Sequence, residues 1–107
     1  MGTIQSLKEK SVREKKLYIL NINVDANRMW VTEENMAEDE LERAEQKGFV
    51  FPDDVTLLDV EYTGKGKVLF GETDIYFYKK GYADKASIHI EDNDYNQYTF
   101  LIEPFLS

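Results

Sequence analysis

The sequence predicts an α+β domain in which one N-terminal helix is packed on antiparallel β-sheets. Helical apolar spacing is confined to residues 3–16 and one short acidic stretch, whereas two-residue alternation dominates from Leu17 onward. Tight turns join the alternating segments, which suits antiparallel pairing. There is no βαβ rhythm and no internal repeat, so a doubly wound nucleotide fold is not expected. The 107 residues, 42% of them hydrophobic, suffice for one domain and leave no room for a second.

Residues 3–16 carry Ile4, Leu7 and Ser11/Val12 on one side and charges elsewhere, the pattern of an amphipathic helix. Leu17–Val24 reads as a half-buried strand, with Tyr18, Leu20, Ile22 and Val24 on one face. Asp25-Ala26-Asn27-Arg28 supplies turn chemistry, and Met29–Thr32 returns as the second strand of a hairpin. Over 36–47 the pattern predicts a short acidic helix with Asn35 as N-cap and Glu38 three residues later. Ala37, Leu41 and Ala44 form its thin apolar stripe, and Gly48 is its stop. So narrow a stripe places this helix on the surface as an insertion. Phe49-Val50-Phe51 is a short strand stopped by Pro52, and Asp53-Asp54 turns into the long strand Val55–Tyr62. After the Gly64–Lys67 turn come the apolar Val68-Leu69-Phe70 and an alternating strand over Asp74–Lys79, broken by Gly81. Ala86–Glu91 and Tyr98–Glu103 are the last strands, joined by the hairpin loop Asp92–Asn96. The count is six or seven strands.

Charge excludes several functions. The net charge of −8 opposes binding to phosphate polyanions, so no nucleic acid is expected as a partner. Charge is also polarised along the chain. Residues 1–16 hold Lys8, Lys10, Arg13, Lys15 and Lys16 against Glu9 and Glu14, while Glu33–Glu45 holds seven acidic residues against Arg43. A mean hydropathy of −0.53, with no apolar run near the ~20 residues a bilayer demands, leaves no membrane helix within these residues. Without cysteine there is no disulfide, thiolate nucleophile or zinc thiolate site.

Few constellations carry chemistry. His89 alternates with Ile88 and Ile90, which places it on the solvent side of a strand with no dyad partner flagged. The six glycines fall at turns, in neither a G-x-G-x-x-G nor a P-loop pattern. Asp92, Asp94 and Asn96 at alternate positions, with Glu103 at the twelfth place, have the outline of a calcium loop. Gln97 stands where the sharp turn needs glycine, and no helices flank the site, so the reading here is a polar hairpin tip and no metal or cofactor is expected. Tyr76, Tyr78, Tyr95 and Tyr98 have only Lys79, Lys80 and Lys85 near them in sequence, which favours a protein interface over stacking of single-stranded nucleic acid.

The order of elements resembles the globular part of H-type minor pseudopilins of type II secretion. The resemblance is carried by the helix ending in basic residues, the hairpin Leu17–Val31 and Phe51-Pro52-Asp53-Asp54-Val55. It continues through Ile75-Tyr76-Phe77-Tyr78-Lys79-Lys80-Gly81, Ala86-Ser87-Ile88-His89-Ile90 and Thr99–Phe105. It implies a pilin-like head of two small sheets, held in the periplasm on a long helix whose first half is an inner-membrane anchor processed by a prepilin peptidase. On that resemblance residues 1–16 are the C-terminal half of the pilin helix and 17–107 the β-rich head. Met1-Gly2 and the abrupt Phe105-Leu106-Ser107 are then expected to mark trimming at both ends, with the anchor and a last strand left out.

The function so implied is a non-catalytic subunit of the pseudopilus, assembling with other major and minor pseudopilins during protein export. The residues expected to touch partners are Glu38 and Glu42 of the acidic excursion, Tyr76 and Tyr78 of the sheet, and Tyr95 of the hairpin loop. Alternatives are a competence or type IV minor pilin involved in DNA uptake or pilus assembly, disfavoured by the charge, and a small-ligand-binding β-sandwich with a deep apolar pocket between its sheets. An enzyme ranks last, for want of a nucleophile–base pair.

Overall fold

In the computed structural model residues 2–103 are described, with side chains from Leu7 onward. Helix α1 spans Gly2–Glu14. Leu7, Lys8 and Ser11 are buried along its inner side, while Val12 is partly exposed; Ile4 lies outside the described side chains. The helix stops two residues short of the expected Lys16 because Lys15 takes a left-handed conformation, φ 54°. Lys16 N–H then bonds back to Ser11 C=O at 3.1 Å and Lys15 N–H to Val12 C=O at 3.3 Å, the pairing that closes a Schellman terminus. The buried Ser11 hydroxyl is satisfied by Lys8 C=O at 2.9 Å.

Among the described residues eight strands follow, not six or seven. They are β1 (Tyr18–Asn23), β2 (Arg28–Glu33), β3 (Phe49–Val50), β4 (Val55–Tyr62), β5 (Gly66–Val68), β6 (Glu72–Phe77), β7 (Ala86–Asp92) and β8 (Gln97–Ile102), with helix α2 (Glu38–Gln46) between β2 and β3. They form two antiparallel four-stranded sheets, ordered β3-β2-β1-β6 and β5-β4-β7-β8. The extra strand is β5, whose three residues pair with the end of β4 where only a turn and an apolar stretch were expected. Phe51 is not in β3; it turns inward to 8% exposure and packs edge-on against Phe49. β6 begins two residues before the expected Asp74 and ends at Phe77, because the chain folds back on the strand's own edge. There Tyr78 N–H bonds Tyr82 C=O at 2.8 Å, and Asp84 N–H bonds Tyr76 C=O at 3.0 Å. Pro104–Ser107, where the terminal part of the resemblance falls, lie outside the described residues.

The alternation read from sequence orients the sheets correctly. Tyr18, Leu20 and Ile22 of β1, Ile75 and Phe77 of β6, and Ala86, Ile88 and Ile90 of β7 all turn inward. With Leu7 of α1, Leu57 and Val60 of β4 and Ile102 of β8 they form a single apolar cluster, so helix and both sheets share one core. Phe77 is 0% exposed, and truncating it to alanine is expected to cost about 3–5 kcal/mol. The sheets are also tied by polar bonds. Asn27, left-handed at φ 59° in the β1–β2 turn, accepts from Leu57 N–H and donates to Val55 C=O, both at 2.6 Å. Asp25 accepts from Gly71 N–H at 2.8 Å, pinning the same turn to the entry of β6.

Candidate partner-binding surface

Helix α2 is held to the first sheet without burying any residue of its own. Its N-cap is Ala37, not Asn35, which sits left-handed at φ 68° two residues earlier. Glu40 Oε1 reaches back to Ala37 N–H at 3.3 Å, so one orphan donor of the first turn is still satisfied. Glu38, Asp39 and Glu40 place negative charge where the helix dipole favours it. At the other end Arg28 bonds the Glu45 carbonyl from above the Trp30 ring, its guanidinium carbon 5.7 Å from the ring centroid. Gly48 lies against β2 so closely that an added Cβ would stand 2.6 Å from Met29 O and 2.7 Å from Trp30 Cβ.

These tethers leave a groove of about 700 Å³ between α2 and strands β2 and β3, lined among others by Met29, Trp30, Met36, Phe49, Glu40 and Arg43. The helix faces it with Glu40, Arg43, Ala44 and Lys47, a stripe at helical spacing. Of the expected apolar stripe only Ala44 takes part; Leu41 is 40% exposed. Glu38 and Glu42 are exposed on α2 and do not line the groove.

Tyr76 and Tyr78 come together at the end of β6, ring centroids 6.1 Å apart, and Tyr78 stacks on Tyr82 at 4.8 Å. Asp84 organises the group, accepting from Tyr78 OH at 2.9 Å and Tyr76 N–H at 3.0 Å. Burial, with the bond to Asp84, pushes the Tyr78 phenol up to about 12, so it stays a donor across the physiological range. Tyr62 joins from the other sheet, its hydroxyl 2.6 Å from both Asp74 C=O and Thr73 Oγ1, and burial raises its pKa as well. Together they border a second cleft of about 500 Å³. Tyr95 stands apart in the β7–β8 turn, left-handed at φ 65° and 82% exposed.

In that turn Asp92 serves its own backbone. Its Oδ1 accepts from Asp94 N–H and Asn96 N–H, each at 2.9 Å, and its Oδ2 from Asn96 Nδ2 and Tyr98 OH, each at 3.2 Å. The Asn96 N–H, foremost among these donors, holds the carboxyl below its usual range. The alternating Asp92, Asp94 and Asn96 thus build an Asx-type hairpin tip.

His89 departs from its expected solvent-facing, partnerless position. It is half-buried, and its Nδ1 lies 2.5 Å from Oδ1 of Asp59, a carboxylate buried to 7% exposure. Strict alternation places Asp59 on the face of Leu57, but the register shifts between these residues. Leu57 therefore opposes Ile90 in the core while Asp59 opposes His89 on the outer face. Glu61 Oε1 stands 3.9 Å from His89 Nε2.

No family model matches the sequence, and no curated protein matches it. The fold is similar to that of the minor pseudopilin EpsH from the type 2 secretion system of Vibrio cholerae. The TM-score is 0.66 at 14% identity, covering 96% of this chain and 90% of that chain. The chain thus shares the α+β fold of that pseudopilin, in keeping with the resemblance read in its sequence.

Proposed function

We propose that this chain is a non-catalytic minor pseudopilin, a structural subunit of a type II secretion pseudopilus taking part in protein export across the outer membrane. The observation that carries the reading is the shared fold over nearly the whole chain, including a helix packed by Leu7 and Ser11 into the sheets. In this reading residues 1–107 form one pseudopilin unit: 1–16 end the stalk helix, and 17–107 are a periplasmic head carried on an inner-membrane anchor. Glu38 and Glu42 on α2 and Tyr95 in the β7–β8 turn, displayed on excursions from a rigid sheet, and the Tyr76–Tyr78 group at the end of β6 are its contacts with other pseudopilins. A competence or type IV minor pilin capturing DNA fits less well, because a chain of net charge −8 repels phosphate. A small-ligand-binding β-sandwich would need a deep apolar pocket between the sheets, whereas the 700 Å³ groove lies between α2 and one sheet, and the cleft that both sheets border is lined by polar groups such as Thr73, Asp74, Asp84 and Lys85.

These 107 residues hold no cysteine, so an introduced thiol is unique among them. Single substitutions Glu42→Cys and Tyr95→Cys in the full-length protein, each alkylated with a maleimide photo-cross-linker and irradiated together with the pseudopilins of its own system, should each give cross-linked heterodimers. Deleting the gene should abolish appearance of exported proteins in the medium. Undiminished export after deletion, together with no cross-link from either site, would overturn the reading.

A further inference from the structure

The two sheets have four edges, and three are closed or too short to pair. The outer edge of β6 is bonded by residues 78–84 at its Tyr76–Phe77 end and by Tyr62 OH at the Asp74 carbonyl, β3 has two residues, and β5 has three with Lys67 in the middle. β8 differs. Its six residues, Gln97–Ile102, contain no charge, proline or glycine, are rich in aromatic and β-branched side chains, and pair straight along β7 without a bulge. Among the described residues nothing pairs with its outer edge. Protein edges are ordinarily blunted by lysine, proline, a bulge or brevity, and β8 has none of these devices.

We propose that the outer edge of β8 accepts an extended segment of another polypeptide as the fifth strand of its sheet, and that this segment has an uncharged, β-branched centre with basic residues at the end that meets the β7–β8 turn. Side chains on both faces of the edge are ready to meet it. Tyr98, 50% exposed, lies on the side of Ile90 and Phe100 on that of Ile88, while Leu101, 52% exposed, lies on the opposite side with Ser87. An added strand placing valine or isoleucine beside Tyr98 and Phe100 would extend the core where burial falls away, from Ile102 at 0% through half-buried Phe100 to Tyr98. Charge selects the ends. Glu91, Asp92 and Asp94 flank the turn end of β8, whereas at the other end Glu103 stands opposite Lys85, so lysine or arginine is attracted at the segment end that meets the turn. A second copy of this chain is disfavoured on the same ground, since antiparallel pairing of two β8 strands would bring Glu103 of one copy toward the acidic turn of the other.

The inference deepens the assembly reading and rests on it only in taking the partner to be a protein. The probe is a ten-residue synthetic peptide, Val-Thr-Val-Tyr-Val-Thr flanked by two lysines at each end, added to the isotope-labelled chain. The comparison is the same centre flanked by glutamates. The lysine peptide should shift the amide signals of residues 97–102 and slow exchange at alternate positions, binding at least about tenfold more tightly than the glutamate peptide. N-methylation along one edge of the lysine peptide should abolish the effect. Undisturbed β8 amides at about 1 mM lysine peptide, or equal binding of both peptides, would overturn the proposal. So would self-association of the chain through β8 without peptide, or protection of the β8 edge amides in the full-length protein by residues that follow Ser107. A chain that cross-links to pseudopilins yet ignores the peptides would keep its assigned role and lose this inference.

Discussion

Asn27 acts as a strand neighbour for Leu57. From the β1–β2 turn its Oδ1 accepts the Leu57 N–H and its Nδ2 donates to the Val55 carbonyl, both at 2.6 Å, so one side chain completes the hydrogen bonding at the start of β4 in the opposite sheet. Its backbone carbonyl also receives Phe51 N–H at 2.9 Å. Asparagine suits the place twice over, tolerating the left-handed backbone and presenting donor and acceptor together. Asn27→Ala removes both bonds and leaves half-buried backbone groups unpaired, a loss of about 2–3 kcal/mol in urea unfolding. Asn27→Asp keeps the acceptor but turns a carboxylate oxygen toward the Val55 carbonyl, so it should be less stable at neutral pH than in acid. A loss below about 0.5 kcal/mol for the alanine variant would mean that water replaces the bridge.

Gly48 is required by proximity. Its φ is not left-handed, but an added Cβ would meet Met29 O at 2.6 Å and Trp30 Cβ at 2.7 Å, and the backbone oxygen cannot swing aside. Gly48→Ala should therefore push the end of α2 away from β2, costing about 1–3 kcal/mol and altering the groove. Trp30, the only tryptophan and a wall of that groove, reports the change: its fluorescence should shift to longer wavelength in the variant before unfolding begins. Unchanged emission and stability would show that the helix end has slack.

How much of this was legible in the sequence depends on the length scale of each signal. The two-residue period of Tyr18, Leu20 and Ile22, and of Ala86, Ile88 and Ile90, fixes which face is buried, and the structure follows it. Signals of one residue were invisible. Lys15 ends α1 left-handed although a lysine gives no warning of it, and the shift at Leu58 reverses the face of Asp59. Asn27 was visible as a turn residue, but its bond to Leu57 joins residues 30 apart, which no local pattern encodes. Gly48 was expected as a helix stop, when close approach to β2 is what demands it. The stripe Glu40, Arg43, Ala44 and Lys47 facing the groove was missed because apolarity was the criterion, while α2 is held by Arg28 and by the approach of Gly48.

The Asp59–His89 pair offers a direct check on the bulge. Asp59 is almost wholly buried and His89 mostly so, with Nδ1 and Oδ1 2.5 Å apart, so removing either partner strands the other. Asp59→Ala and His89→Ala should each cost about 1–3 kcal/mol, and the double variant should cost less than their sum by about 1 kcal/mol or more. Strict additivity in urea unfolding would show that the two side chains do not interact, and that the shift between Leu57 and Asp59 does not serve to bring them together.

Asp92 should make the β7–β8 turn sensitive to acid. Its carboxylate accepts from Asn96 and Asp94 N–H groups and from Tyr98 OH, and these bonds, that of the Asn96 backbone first, lower its pKa. A depressed carboxyl stabilises the folded turn fully above the unfolded value of about 3.9, and the contribution disappears as pH falls through the folded value. The amides of Asp94 and Asn96 should accordingly titrate together with the Asp92 carboxyl carbon, at a midpoint below the ordinary aspartate range. Asp92→Asn should remove this titration while leaving β1 and β2 undisturbed. Protonation also frees the Tyr98 hydroxyl, so exchange at the edge of β8 should quicken over the same interval. An Asp92 midpoint at or above the ordinary value would show that solvent, and not the turn, holds the charge, and the ordered approach to β8 would then need another cause.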